Sequence, residues 1–133
     1  MFTSLQSLIE LAESRQLPLH EIILQSEISS SGRSREALRA DMTRRLETMR
    51  ASVDKGLAGP VHTLSRLSKG NAHKFYTSIQ QNEAALTGSC LSRAIARAMS
   101  VGEVNAGMGC IVATPTAGAA GVLPAVLLSL QEA

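Results

Sequence analysis

Residues able to handle an anion without a formal charge are gathered in one place, the run Val104-Asn105-Ala106-Gly107-Met108-Gly109-Cys110-Ile111-Val112-Ala113-Thr114-Pro115-Thr116-Ala117-Gly118-Ala119-Ala120-Gly121. Its glycines let backbone N–H groups come close to a ligand, and a helix starting just after it would add its positive N-terminal end. Asn105, Thr114 and Thr116 supply neutral donors. Such a cradle suits a carboxylate or a phosphate, with the loop Thr116, Ala117, Gly118, Ala119, Ala120 and Gly121 offering mostly backbone. The same composition serves equally well for close packing of a Gly/Ala loop inside a core, and both uses remain open on physical grounds. The spacing fits neither the phosphate loop ending in Gly-Lys-Ser/Thr nor the dinucleotide G-x-G-x-x-G pattern.

Other chemistry is sparse. His20, His62 and His73 have no i,i+4 partner and no neighbouring cysteine, so metal-ligand spacing is absent. Lys55, Lys69 and Lys74 all lie outside the Gly-rich run, which disfavours a Schiff-base lysine and with it pyridoxal phosphate. Ser89-Cys90 follows Gly88, but no strand-turn-helix pattern or base makes a nucleophile of either. Cys90 and Cys110 lack CxxC spacing and sit in apolar company, so they read as small buried thiols, without a disulfide framework or a metal site.

Composition limits the frame. With 133 residues the chain has room for one core, and 44% hydrophobic with 18% charged residues is the balance of a folding chain. Aromatic residues are 2%, too few for base-stacking platforms, and 13 basic against 11 acidic residues give a mild excess without a stripe, so nucleic acid is not an expected partner. Val104 to Gln131 carries no charged side chain and no histidine. Pro115, Pro124 and the glycines break this blank into pieces too short to span a bilayer, so no membrane partner is expected either. The opening MFTSLQSLIELAESR has no basic n-region or clean apolar h-region, which makes the cytoplasm the expected location.

The elements that must hold the Gly-rich run are helical. Thr3 and Gln6 fit a T-x-x-Q capping box ahead of Leu5, Leu8, Ile9 and Ala12, and Leu17-Pro18 stops that pattern. Leu19, Ile22 and Ile23 form a second short stretch, with a turn at Ser29-Ser30-Ser31-Gly32. Ser34 caps a longer polar helix through Leu38, Met42, Leu46, Met49 and Val53, ending at Gly56. A connector follows to Gly70. Asn71 caps a helix reaching about Asn82, and Thr87-Gly88-Ser89 punctuates again. Leu91, Ala94, Ile95, Ala98 and Met99 mark the inward stripe of the next helix, with Arg93 and Arg97 on its other side. Cys110 to Thr114 fits a short strand or a buried helix, and Val122 to Leu130 is apolar almost all round, predicting a buried helix. Divided by character, 1–56 holds polar amphipathic helices, 57–88 a connector and a short helix, and 89–133 an apolar helix, the Gly-rich loop and a buried helix.

At Glu103-Val104-Asn105-Ala106-Gly107-Met108-Gly109 and Ala113-Thr114-Pro115-Thr116-Ala117-Gly118-Ala119-Ala120-Gly121-Val122-Leu123-Pro124, the sequence resembles the α chain of the bacterial iron–sulfur L-serine dehydratases. The likeness extends upstream through the opening M-F-x-x-x-x-x-L-I-E and Lys55-Gly56-Leu57, and covers about the first half of a typical family α chain. It departs where related chains read G-L-T-G-G-D-A and this one reads Arg66-Leu67-Ser68-Lys69-Gly70-Asn71-Ala72.

The resemblance implies a mainly α fold: the helical N-terminal portion of a larger all-α catalytic domain, with a Gly/Ala-rich loop between buried helices. It implies elimination of water from L-serine and then loss of ammonia to give pyruvate, with a 4Fe-4S cluster as Lewis acid on the leaving hydroxyl. The cluster's cysteine motifs lie downstream in the family, so its ligands are expected outside this chain, and Cys90 and Cys110 match none of them. The Thr114 to Gly121 loop is implied to line the serine pocket. Implied partners are the C-terminal half of the α chain and a β chain or domain, in an oligomer. The alternative is a truncated, non-catalytic relative acting as a folding or interaction module.

Overall fold

A computed structural model describes residues 2–63, 68–81 and 88–132, and among these it holds six helices and no strand. The expected positions Arg66, Leu67, Asn82 and Thr87 lie outside the described residues. The chain divides into two compact units, Met1–Arg44 and Arg45–Ala133.

The first unit is a helical hairpin, α1 (Leu5–Arg15) against α2 (Leu19–Ser31), followed by the start of α3 (Arg35–Ala58). The α1 cap sits one residue later than expected. Ser4 accepts from the Ser7 N–H and the Ser7 hydroxyl accepts in return from the Ser4 N–H, each at 3.1 Å. The amide of Gln6 is used instead along the helix, donating to Glu10 at 3.0 Å. Ser29, Ser30 and Ser31 form the last turn of α2, not a free turn, because their hydroxyls bond back to the carbonyls of Gln25 and Glu27. Gly32 then ends the helix with φ 67°, a left-handed cap that glycine adopts at least cost. Leu8, Ala12 and Ile22 are the buried core here, with Phe2, Leu11 and Leu17 packed around them. Glu21 accepts both guanidinium N–H groups of Arg35, one at 2.9 Å, and Asp41 pairs with Arg33 and Arg44.

In the second unit α5 (Gly88–Ala106) is central, packed by α4 (Asn71–Gln81) and by α6 (Val122–Glu132). The expected Ser34 cap forms, its Oγ accepting from the Ala37 N–H at 3.2 Å, but α3 runs through Gly56 to Ala58. Gly56 is a contact point: a Cβ there would lie 2.5 Å from the Ser100 Cβ, so the two backbones meet with no room for a side chain. Val53, Val101 and Ala120 form the core, lined by Leu57, Ile111 and Leu128.

Burial on α5 corrects the expected face. Ser92, Ala96, Arg97, Ser100, Val101, Glu103 and Val104 are buried, while the supposed inward residues Leu91 and Ile95 are exposed. Ser92, Ala96 and Ser100 are small where the helices approach closely, as at Gly56. Arg97 tolerates burial because it donates to the Ser129 hydroxyl at 2.7 Å and pairs with Glu132 at 2.5 Å. The α6 helix is likewise only half buried, with Pro124, Ala125 and Ser129 inside and Val122, Leu123, Val126, Leu127 and Leu130 exposed. No described helix is long and apolar enough to cross a membrane.

Candidate functional site

The Gly-rich run is held at its foot by the end of α5. There the Gly107 and Gly109 N–H groups donate to the carbonyls of Glu103 and Val104, both at 2.8 Å, and the Met108 N–H donates to the Asn105 carbonyl at 3.1 Å. Glu103 is 8% exposed, and its carboxylate reaches the start of α4. It accepts from the Asn71 N–H at 2.7 Å, the Ala72 N–H at 3.3 Å and the Ser68 hydroxyl. First-turn amides have no partner within their own helix, and a carboxylate there meets the positive end of the helix dipole. Glu103 is thus an N-terminal cap supplied by another helix, tying 68–72 to the root of the loop. The bond uses the Asn71 backbone, so it does not depend on the side chain at that position.

Beyond Gly109 the chain is irregular, which resolves the ambiguity over Cys110 to Thr114: it is neither strand nor helix. The Thr114–Pro115 peptide is cis. Thr114 is half-buried and its hydroxyl donates to the Val112 carbonyl at 3.4 Å. Thr116 Oγ1 and its carbonyl both accept from the Ala119 N–H, at 3.3 and 3.2 Å. The Ala120 and Val122 amides donate to Ala117 and Ala119 carbonyls at 3.4 and 3.1 Å. Those bonds consume three amides that a cradle would have used, and leave those of Ala117, Gly118 and Gly121 outside the turn bonding.

The eight expected site residues therefore separate by position. Thr116, Ala117 and Gly118 are exposed, and Asn105, Thr114 and Ala119 are half-buried. Ala120 is 1% exposed in the core, and Gly121 faces α5, where a Cβ would come 2.5 Å from the Ala98 carbonyl oxygen. One end of the loop packs and the other is open, so the two uses left open by composition are divided along the chain. The open end could accept hydrogen bonds from, and donate backbone N–H groups to, a small polar ligand.

Glu103, Ser68 and Arg97 were named in the sequence without a site role. The signals for Glu103 were its place at the edge of the charge-free run and at the head of the first motif; nothing in the spacing linked it to Ser68, thirty-five residues away. The Glu132 carboxyl is held below the usual carboxylate range, first by its hydrogen bond with Arg97 and further by the positive charges of Arg97 and Arg93. His73 Nδ1 lies 2.7 Å from the Leu57 carbonyl, a structural bond.

Cys90 and Cys110 are both exposed, which corrects their expected burial. An iron–sulfur cluster is held by a set of thiolates, commonly four. The chain has two cysteines, and among the described residues no group of three or more His, Cys, Asp or Glu side chains could hold a metal. The residues of this chain do not fit such a cluster.

Comparison with known proteins agrees with the motif reading. The family model described as "Serine dehydratase alpha chain" matches residues 14–133. The "Probable L-serine dehydratase, alpha chain" of Bacillus subtilis (strain 168) is 35% identical over 132 residues, 99% of this chain and 43% of that protein. The "L-serine dehydratase, alpha chain" of Peptoniphilus asaccharolyticus is 32% identical over 132 residues, 99% of this chain and 45% of that protein. The chain thus spans less than half the length of these relatives. No solved structure matches it. With the motif pair at the α5–loop–α6 junction and a family match that runs through it, the chain belongs to the serine dehydratase alpha chain family.

Proposed function

We propose that the chain is part of an L-serine ammonia-lyase, which converts L-serine to pyruvate and ammonia, and that Thr114 to Gly121, with Asn105, lines its substrate pocket. The observation that carries this reading is the family match over 14–133. Supporting it, the exposed Thr116–Gly118 stretch presents uncharged donors at the open end of a loop fixed at both ends, by Glu103 and by Gly121. Such a stretch orients a carboxylate with backbone amides. Asn105, Ala119 and Ala120 would shape the pocket from behind, and Ala120 in particular through packing.

Cluster ligands and the general base come, on this reading, from polypeptide outside this chain: the remaining half of the α chain and a β chain or domain, in a cytoplasmic oligomer. The test is anaerobic reconstitution of the chain with the remainder of a family α chain. Serine-dependent pyruvate is expected, and a Gly118→Val variant should raise KM for serine roughly tenfold, about 1.4 kcal/mol. An assembled, cluster-loaded preparation that leaves serine untouched would overturn the proposal. Threonine adds one methyl, worth about 1–3 kcal/mol in a fitted pocket, and a serine/threonine comparison of kcat/KM reads that preference directly.

A second reading, a non-catalytic folding or interaction module, is favoured by the two exposed cysteines and the absence of a ligand set among the described residues. It predicts assembly with a partner and no turnover.

A further inference from the structure

On α6 five of the six large aliphatic side chains, all but Leu128, face away from the helix it packs on. At 100° per residue, Val122, Leu123, Val126, Leu127 and Leu130 fall within an arc of about 140°, and Pro124, Ala125, Leu128 and Ser129 fill the opposite side. The first group is 40–68% exposed, while Pro124, Ala125 and Ser129 are buried. The orientation is fixed. Arg97 binds Ser129 and Glu132 on one side, and Arg50 donates to Gln131 at 2.7 Å. Leu5 and Met42 are exposed singly, and Leu19 with Ile23 and Leu91 with Ile95 only in pairs, so none of these forms a stripe as long as that on α6. A continuous aliphatic stripe on a rigid helix marks a surface that is covered when the protein functions.

We infer that this face of α6 is the seat for the polypeptide that the longer α chains carry beyond the region matched here. The relatives align with 99% of this chain, α6 included, yet more than half of their length lies outside the match. Both relatives carry that additional polypeptide in the same chain as this helix. Its chemistry is also defined: α6 has no charged residue before Glu132, so the covering surface is aliphatic and neutral. A lipid surface fits less well, because an interfacial helix carries Lys or Arg on its polar face and α6 has neither. The inference rests on the proposed reading that the chain works together with the remainder of an α chain.

The test titrates the chain with the part of the Bacillus subtilis relative that lies outside the match, following binding by calorimetry and α6 amide exchange. Leu127→Glu should weaken binding at least 100-fold, and slowed exchange on α6 should disappear with it. Met42→Glu, the same kind of change at an isolated exposed site, should bind as wild type. Circular dichroism checks that both variants keep the helix content of the parent. Unaltered binding by Leu127→Glu, no binding by wild type, or a self-associated dimer that Leu127→Glu dissociates without affecting the remainder would each overturn the inference, as would α6 protection by phosphatidylcholine vesicles alone. The binding readout is independent of turnover: a wild-type assembly that binds through Leu127 but leaves serine untouched sinks the proposed activity and not the seat. Full turnover with Leu127→Glu bound at wild-type affinity does the reverse.

Discussion

In the α1–α2 hairpin the buried core is built on large aliphatic side chains, Leu8 and Ile22, with Leu5, Leu19 and Ile23 left exposed. In the α5–α6 pair small residues, Ser92, Ala96, Ser100, Ala125 and Ser129, are buried beside Val101 and Val104, while Leu91, Ile95, Leu123 and Leu127 are exposed. The hairpin is stabilised by removing apolar area from water, at roughly 25 cal/mol per Å². Around α5 the chain also gains close backbone approach, where Gly56 of α3 meets Ser100 and Gly121, just before α6, meets Ala98, and its buried polar groups are satisfied internally. A region packed through its small residues has its large ones available for something else, which is why the proposed loop and the α6 seat both lie in the second unit.

The contrast can be broken from either side. The largest effect is expected inside the hairpin, where Ile22→Ala should cost about 4 kcal/mol, read as a lowered denaturant midpoint. A loss below 1 kcal/mol would mean that the hairpin does not depend on its aliphatic core. Next, Gly56→Ala should cost about 3 kcal/mol, although alanine is the better helix former, because its Cβ would meet the Ser100 backbone and Cβ. A stabilised Gly56→Ala protein would refute the close-approach account. Glu103→Ala should cost about 2 kcal/mol and speed amide exchange at Asn71 and Ala72, since it strips two backbone donors of their acceptor. By contrast, Leu127→Ser in the chain alone should change stability by no more than about 0.5 kcal/mol, as for an ordinary surface site.

Acid provides the mildest probe. Glu21 is lowered from 4.5 to about 2, chiefly by its hydrogen bond with Arg35, and Asp41 is lowered chiefly by its bond with Arg33. A carboxyl whose folded value is depressed stabilises the fold above its unfolded value and loses that contribution as pH falls through the folded one. The Glu21 contribution is therefore complete above about 4.5 and fades toward 2. Glu21→Gln should flatten the acid limb of a thermal-stability profile over that window and leave the neutral region nearly level. An unchanged acid limb would show that the pair does not couple to folding.

How far these features could be read from the sequence differed by kind. Helix positions were legible because capping residues and three-to-four spacing are local: Ser34 caps α3 as its type predicts, and Gly32 closes α2. Where a local signal was shared by neighbours it slipped, as with Ser4 in place of Thr3. The Thr114 to Gly121 loop was legible as a place, since a charge-free run dense in Gly and Thr is visible without a fold. Its division into an open end at Thr116–Gly118 and a packed end at Ala120–Gly121 was not. That division depends on Ala98, which no spacing rule connects to Gly121.

The sequence by itself determined that the chain is helical, that its charge stops at Glu103 until Glu132, and that its motif pair belongs to the serine dehydratase α chains. Only the tertiary structure decided which face of α5 and α6 is buried, that Glu103 caps α4, and that Arg97 is an interior residue tied to α6. The physical reason is that hydropathy is a property of single residues, whereas burial depends on how near two backbones can come. Where Gly and Ser allow them to nearly touch, size rather than polarity selects the inner face.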